Sequence, residues 1–168
     1  MKLWPDKKKY VETILKRFNI HDSKPMKTLI DLGTKLFVEQ CRKIKEVKEI
    51  SHVPYANVVG ILMYAMVCTR LDITHAVGVL SRYMSKPRKE HCTAMKRVLR
   101  YLHGKTNFSI YYKGKRKEKS LNIKDFVDGD WARDLENRRS TNGYVFNLFG
   151  GAISWMSKRQ AIISLSTT

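Results

Sequence analysis

Apolar residues keep a helical period up to residue 104 and a strand period after residue 108, and that switch limits the fold more than anything else in the chain. In VPYANVVGILMYAMVCTR (53–70), Tyr55, Val58, Val59, Leu62, Met63 and Met66 recur at helical spacing, with Pro54 suited to the first turn. LDITHAVGVLSRYMSKP (71–87) follows, with Asp72 as a natural N-cap and Pro87 beyond the end. KEHCTAMKRVLRYLHG (89–104) puts Ala94, Met95, Val98, Leu99 and Leu102 on one face, with Gly104 placed as a terminating residue. An earlier helix is expected over PDKKKYVETILKRFNI (5–20), started by Pro5 and Asp6, with Tyr10, Ile14, Leu15 and Phe18 facing inward. Residues 21–50 read as a loop and a charged linker.

From residue 108 the segments shorten and become β-branched and aromatic. FSIYYKG (108–114) reads as a strand and KGKRKEKS (113–120) as a charged turn. LNIKDFVDGD, STNGYVFNLFGG and AISWMSKRQAIISLS follow as strands, with Gly150-Gly151 as the hairpin signal. The fold class is therefore α+β: a helical unit over about 1–105, a connector over 106–120, and an antiparallel three-strand meander over 121–168. Such a sheet without a covering helix leaves apolar side chains and strand edges open. Tyr144, Phe146 and Phe149, or Ile153 and Trp155, would be exposed and favour self-association.

Charge then narrows the function. The chain carries 33 Lys+Arg against 15 Asp+Glu, a net +18. That field attracts polyanions, nucleic acid above all. Lys96, Arg97, Arg100, His103 and Lys105 form the best candidate for following a phosphate backbone, with Tyr101, Tyr111 and Tyr112 nearby to stack or pack. Arg138 and Arg139 are further candidates. The competing reading is a solvated basic helix face. Cys41, Cys68 and Cys92 show no ligand spacing, which suits a reducing compartment. His52, His75, His91 and His103 share no metal spacing and are expected to be structural. Trp131 and Trp155 are expected in the core. MKLWPDKKKY lacks the apolar stretch of a secretory signal, and the longest apolar run, 58–68, is too short to span a bilayer.

Against this basic background stands DFVDGDWARDLE (125–136), with five acids in twelve residues. If IKDFVD is a strand, Ile123, Asp125 and Val127 face one side and Phe126 and Asp128 the other. Asp128 then ends the strand and Gly129 opens a turn. Hard carboxylate oxygens suit Mg²⁺, but two-metal chemistry needs several converging carboxylates. Asp130 and Asp134 are local candidates. A turn-forming role and a metal-binding role both remain open on these residues alone.

The segment VPYANVVGILMYAMVCTRLDITHAVGVLSRYMSKPRKEH resembles the part following the polymerase active site in Pol polyproteins of copia-type LTR retrotransposons. KKYVETILKRFNI, KPMKT and RYLHGKTNF fit the same family. FVDGDWARDLENRRSTNGYVFNLFGGAISWMSKRQAIISLSTT resembles the start of that polyprotein's ribonuclease H domain. The resemblance covers essentially the whole chain. It implies a reverse transcriptase thumb and connection unit that grips an RNA/DNA duplex, followed by an incomplete ribonuclease H-like sheet. Asp128 would match the first metal-binding Asp of that ribonuclease H, as a catalytic remnant, with Asp130 and Trp131 matching its adjoining motif. Arg138, Arg139, Ser140 and Thr141 would match the entry to the second strand, and Ser154, Trp155, Ser157 and Lys158 the third. Ser164, Ser166, Thr167 and Thr168 would lead into the helix that carries the next catalytic Glu. That Glu, the later Asp and the polymerase's paired Asp are not in the sequence.

Departures from the family pattern include Leu29 and Leu71 where Pro is usual, Cys92 for Trp, Gly129 for a small Ala-like residue, and Arg133 for Gly. The expectation is an inactive fragment in which Mg²⁺, the parent family's cofactor, is not tightly held. Its partners would be a duplex or other polyanion and the rest of the Pol polyprotein, in an intracellular setting. A class-different alternative comes from RVLR (97–100), which fits the R-x-L-R pattern of secreted oomycete effectors, though it lies mid-helix without a signal peptide.

Overall fold

The computed structural model describes residues 2–3, 7–30, 52–113, 123–130 and 139–161. Among them are helices α1 (Lys8–Arg17), α2 (Tyr55–Cys68), α3 (Thr74–Ser81) and α4 (Lys89–Gly104), with a 3₁₀ turn at Leu71–Ile73. The strands are β1 (Lys2–Leu3), β2 (Tyr112–Lys113), β3 (Ile123–Asp130), β4 (Thr141–Leu148) and β5 (Gly151–Arg159). The class is α+β. Two compact units divide after Phe108, and Lys2–Leu3 pairs with Tyr112–Lys113 in the second unit rather than joining the helices.

The helical unit is built largely on the stripes expected from the sequence, but in α1 Val11 joins Ile14 and Leu15 in the core, while Tyr10 and Phe18, expected to face inward, are only half-buried. Val11, Ile14 and Leu15 of α1, Val58, Val59 and Leu62 of α2, and Val98, Leu99 and Leu102 of α4 are all buried in one cluster. Helix α2 departs from expectation on its flank. Met63, Tyr64 and Val67 are 39%, 49% and 67% exposed, because neighbouring elements cover only one stripe of a helix that is apolar nearly all round. The Tyr55 hydroxyl donates to the Leu80 carbonyl at 2.9 Å, which satisfies a polar group inside the core and ties α2 to α3.

Asp72 is not a helix cap. α3 is preceded by Ile73, and no side chain caps it. Asp72 instead takes a bidentate fork from Arg70, Nε to Oδ1 at 2.9 Å and Nη2 to Oδ2 at 2.7 Å. Arg70 is 1% exposed. Its Nη1 donates to the Lys105 carbonyl at 3.0 Å, and the guanidinium lies 5.5 Å from the Phe108 ring centroid. One buried side chain thus joins the end of α2, the 3₁₀ turn and the end of α4. Gly104 also differs from expectation, closing α4 as its last residue. A Cβ there would stand 3.2 Å from Pro25 Cβ, so its lack of a side chain admits the 23–28 segment.

In the second unit β3, β4 and β5 form an antiparallel sheet in that order. The meander expected from the sequence is present, with the turn one residue early. Phe149 and Gly150 occupy the loop at φ 52° and 80°, a pair of positive angles typical of tight hairpins. Gly151 begins β5, and a Cβ on it would fall 2.6 Å from the Tyr112 ring. The expected strand over 108–114 narrows to Tyr112–Lys113, whose Lys113 N–H donates to the Phe149 carbonyl at 2.8 Å. Trp155, expected in the core, is half-buried. Pro5, Asp6, Cys41, Trp131, Arg133, Asp134, Arg138, Ser164, Ser166, Thr167 and Thr168 lie outside the described residues.

Removing one partner of a buried, hydrogen-bonded ion pair typically costs about 3–5 kcal/mol. Asp72→Ala is expected to destabilise the helical unit by about 3 kcal/mol, read from urea unfolding followed by helical circular dichroism. Asp22→Ala, at an exposed contact with His21, is expected to leave the midpoint unchanged.

Candidate nucleic-acid interface

The basic residues of α4 lie on the side opposite Val98, Leu99 and Leu102, as amphipathic spacing requires. Lys96 and Lys105 are exposed, while Arg97 and Arg100 are half-buried. The reason is the segment 23–28, which lies along α4. Arg100 Nε donates to the Lys24 carbonyl at 2.7 Å, and Arg97 Nη2 donates to Thr28 Oγ1 at 2.5 Å. His103 Nδ1 is 3.0 Å from the Ser23 carbonyl, and the Met26 N–H donates to the Arg100 carbonyl at 3.2 Å. The two arginines named from the sequence therefore direct donors at a strap of backbone as well as presenting charge.

The strap brings something the sequence reading missed. Lys24 and Lys27 are exposed on it. Their carrier segment is fixed to α4 through Arg97, Arg100 and His103, so the strap and the helix together carry one cationic strip. No periodicity marked them; only the hydrogen bonds from α4 place them there. Lys105 caps the strip's end, its Nζ 4.9 Å from the Tyr101 ring centroid and 5.6 Å from that of Phe108. Tyr101 itself is buried, so it supports Lys105 rather than offering a free stacking face. Tyr111 is exposed, and the Tyr112 hydroxyl donates to the Ala152 carbonyl.

The second group of candidates is in the sheet. Arg139 precedes β4 half-buried, and its Nε is a buried donor that makes no hydrogen bond. Asp128 does not end its strand as expected. It sits within β3 opposite Gly143, and Gly129 continues the ladder opposite Asn142 instead of opening a turn. Asp125 and Asp128 are both exposed and alternate to opposite faces. Among the described residues no three His, Cys, Asp or Glu come together as a metal-binding group. A single exposed carboxylate does not supply the converging oxygens that Mg²⁺ chemistry demands, so the described residues do not fit that ion.

Two other groups are structural. The thiol of Cys92 is buried, and burial raises its pKa, the opposite of an activated nucleophile. His91 is buried, its ring stacked on Tyr83 with centroids 3.9 Å apart. Its Nδ1 accepts from the Arg88 N–H at 3.0 Å, capping α4. Burial, then the nearby Arg88 charge, lowers its pKa to about 4. RVLR (97–100) is held in place: Val98 and Leu99 are buried and both arginines bind the strap.

The chain is 46% identical over 168 residues to the retrovirus-related Pol polyprotein from transposon TNT 1-94 of Nicotiana tabacum, covering 99% of this chain and 12% of that one. It is 37% identical over 161 residues to the Pol polyprotein from transposon RE1 of Arabidopsis thaliana, covering 96% of this chain and 10% of that one. It is also 44% identical over 119 residues to secreted RxLR effector protein 161 of Plasmopara viticola, covering 71% of this chain and 82% of that one. The chain thus spans about a tenth of the length of these Pol polyproteins. No family model and no solved structure matches it.

Because His91 is buried neutral, its folded pKa of about 4 lies below the unfolded 6.5. Its contribution to stability is complete above pH 6.5 and is lost as pH falls toward 4, by up to about 3 kcal/mol. His91→Phe is expected to show a shallower loss of stability over that window, measured by urea unfolding at successive pH values.

Proposed function

Since the chain belongs to the Pol polyproteins of copia-type retrotransposons, we propose that it is a reverse transcriptase–ribonuclease H segment whose own activity is sequence-independent binding of nucleic acid. The helical unit corresponds in this reading to the thumb and connection that grip an RNA/DNA duplex. The sheet corresponds to the opening strands of ribonuclease H, with Asp128 as the remnant of its first metal-binding acid. The described residues do not fit Mg²⁺, since Asp128 offers a single carboxylate on an open strand, and the activity proposed for this chain is therefore binding rather than hydrolysis. The observation that carries the reading is the cationic strip of Lys24, Lys27, Lys96 and Lys105, with Arg97 and Arg100 anchoring the strap that completes it. Arg138 and Arg139 are proposed as further phosphate contacts on the sheet unit. Other parts of the Pol polyprotein would be its natural partners, and an intracellular setting follows from that role. Among the described residues no helix is long and apolar enough to cross a membrane.

The similarity to the Plasmopara effector favours a second reading, a non-enzymatic interaction protein. The burial of Val98 and Leu99 weighs against RVLR acting there as an accessible linear motif.

Four phosphate contacts give a log–log salt slope of about −3.6, or roughly a 150-fold loss of affinity between 50 and 200 mM salt. The expected result is such a slope for a hybrid duplex by fluorescence anisotropy, equal for unrelated sequences. Lys96→Ala and Lys105→Ala are each expected to reduce it by about one. No binding at low salt would overturn the reading in favour of the interaction protein.

A further inference from the structure

Residues 82–88 join α3 to α4, and both stems of that loop are pinned to one side chain. On the incoming side Tyr83 is buried and stacked on His91, with ring centroids 3.9 Å apart. On the outgoing side the Arg88 N–H donates to His91 Nδ1 at 3.0 Å. Ser85 and Lys86 stand exposed at the tip between them. Among the described residues neither makes a hydrogen bond, so the fold presents the Ser85 hydroxyl without using it. The hydroxyls of Thr13 and Thr93, by contrast, lie on helices and donate to the Lys9 and Lys89 carbonyls.

The neighbours of Ser85 are cationic. Arg82 lies three residues before it, Lys86 one after, and Arg88 and Lys89 three and four after. An arginine three residues ahead of a hydroxyl is the charge pattern that arginine-directed kinases select, because acidic groups in their substrate cleft hold that guanidinium while the hydroxyl meets the nucleotide. Among the described serines and threonines, Ser85 and Thr141 have an arginine or lysine at this spacing. Thr141 is locked in β4, the central strand, between Asp130 and Arg159. Ser85 is thus the hydroxyl that combines the charge pattern with an accessible backbone.

We propose that Ser85 is a phosphorylation site, taking the γ-phosphoryl group of ATP from an arginine-directed serine/threonine kinase. In the transfer Ser85 Oγ bonds to the γ-phosphorus, and the bond from that phosphorus to the β–γ bridging oxygen breaks. ADP leaves with the electron pair, and the hydroxyl proton passes to the kinase's catalytic carboxylate. The product carries about two negative charges at pH 7, which cancel about half the positive charge of Arg82, Lys86, Arg88 and Lys89. The loop thereby acquires a reversible change of charge while its stems stay fixed. The inference stands independently of nucleic-acid binding.

The test incubates the full chain, freed of nucleic acid by nuclease and high-salt washing, with MgATP and the catalytic subunit of cyclic-AMP-dependent kinase, an arginine-directed enzyme. The expected result is phosphate mapped to Ser85 by mass spectrometry. Its initial rate is expected within about tenfold of that for a free peptide of residues 80–91, since a tip without hydrogen bonds opens readily. Ser85→Ala is expected to abolish the labelling, and Arg82→Gln to slow it at least tenfold. Circular dichroism establishes that each variant keeps its helices, and the same Arg82→Gln change in the peptide reads its effect apart from folding. Labelling of the peptide but not of the chain, phosphate spread over other hydroxyls, no labelling of either, or a rate indifferent to Arg82 would each overturn the proposal.

Discussion

Arg70 lies inside the helical unit, 1% exposed, with its guanidinium divided between the Asp72 carboxylate and the Lys105 carbonyl. A buried charge of this kind is tolerated only when nearly all its donors are satisfied. Satisfying them fixes three things at once. The chain must leave α2 at Thr69, turn through Leu71–Ile73 so that Asp72 faces back, and bring the end of α4 close enough for the carbonyl of Lys105, just past it, to accept. Phe108 lies over the guanidinium on the remaining side. The apolar stripes supply the bulk of the burial free energy, but they can slide against one another at small cost. A forked ion pair cannot, and it sets the register in which α2, α3 and α4 meet.

That register carries the candidate function. With the end of α4 held in place, its outer face presents Lys96, Arg97, Arg100 and His103, and the 23–28 strap attaches to the last three. Gly104 permits the close approach of Pro25. Two further lysines thereby join the strip. Basic charge that composition distributes along the chain is gathered by these contacts into one place, where a phosphate backbone could run along it.

The parts of this arrangement that were legible in the sequence are those set by local periodicity. Val58, Val59 and Leu62, and Ala94, Met95, Val98, Leu99 and Leu102, are buried as their spacing implied. The β-meander was legible because alternation and the Gly150-Gly151 signal are both short-range. What could not be read has partners far along the chain. Asp72 looked like a cap because Asp before a helix usually is one; its preference for Arg70 depends on Lys105 and Phe108, more than thirty residues away. The arginines of α4 looked free because Lys24 and Thr28 are some seventy residues distant. Asp128 was expected at a strand end because Gly129 suggested a turn, yet the ladder with β4 carries on to Asp130, since glycine can pair as well as turn.

The Arg70 clamp makes α2, α3 and α4 one cooperative body. Native-state hydrogen exchange in low urea measures this directly. The expected result is a single opening free energy shared by core amides of α2 and α4, falling together in Asp72→Ala. Opening of α4 at a separate, lower free energy while α2 stays protected would contradict it.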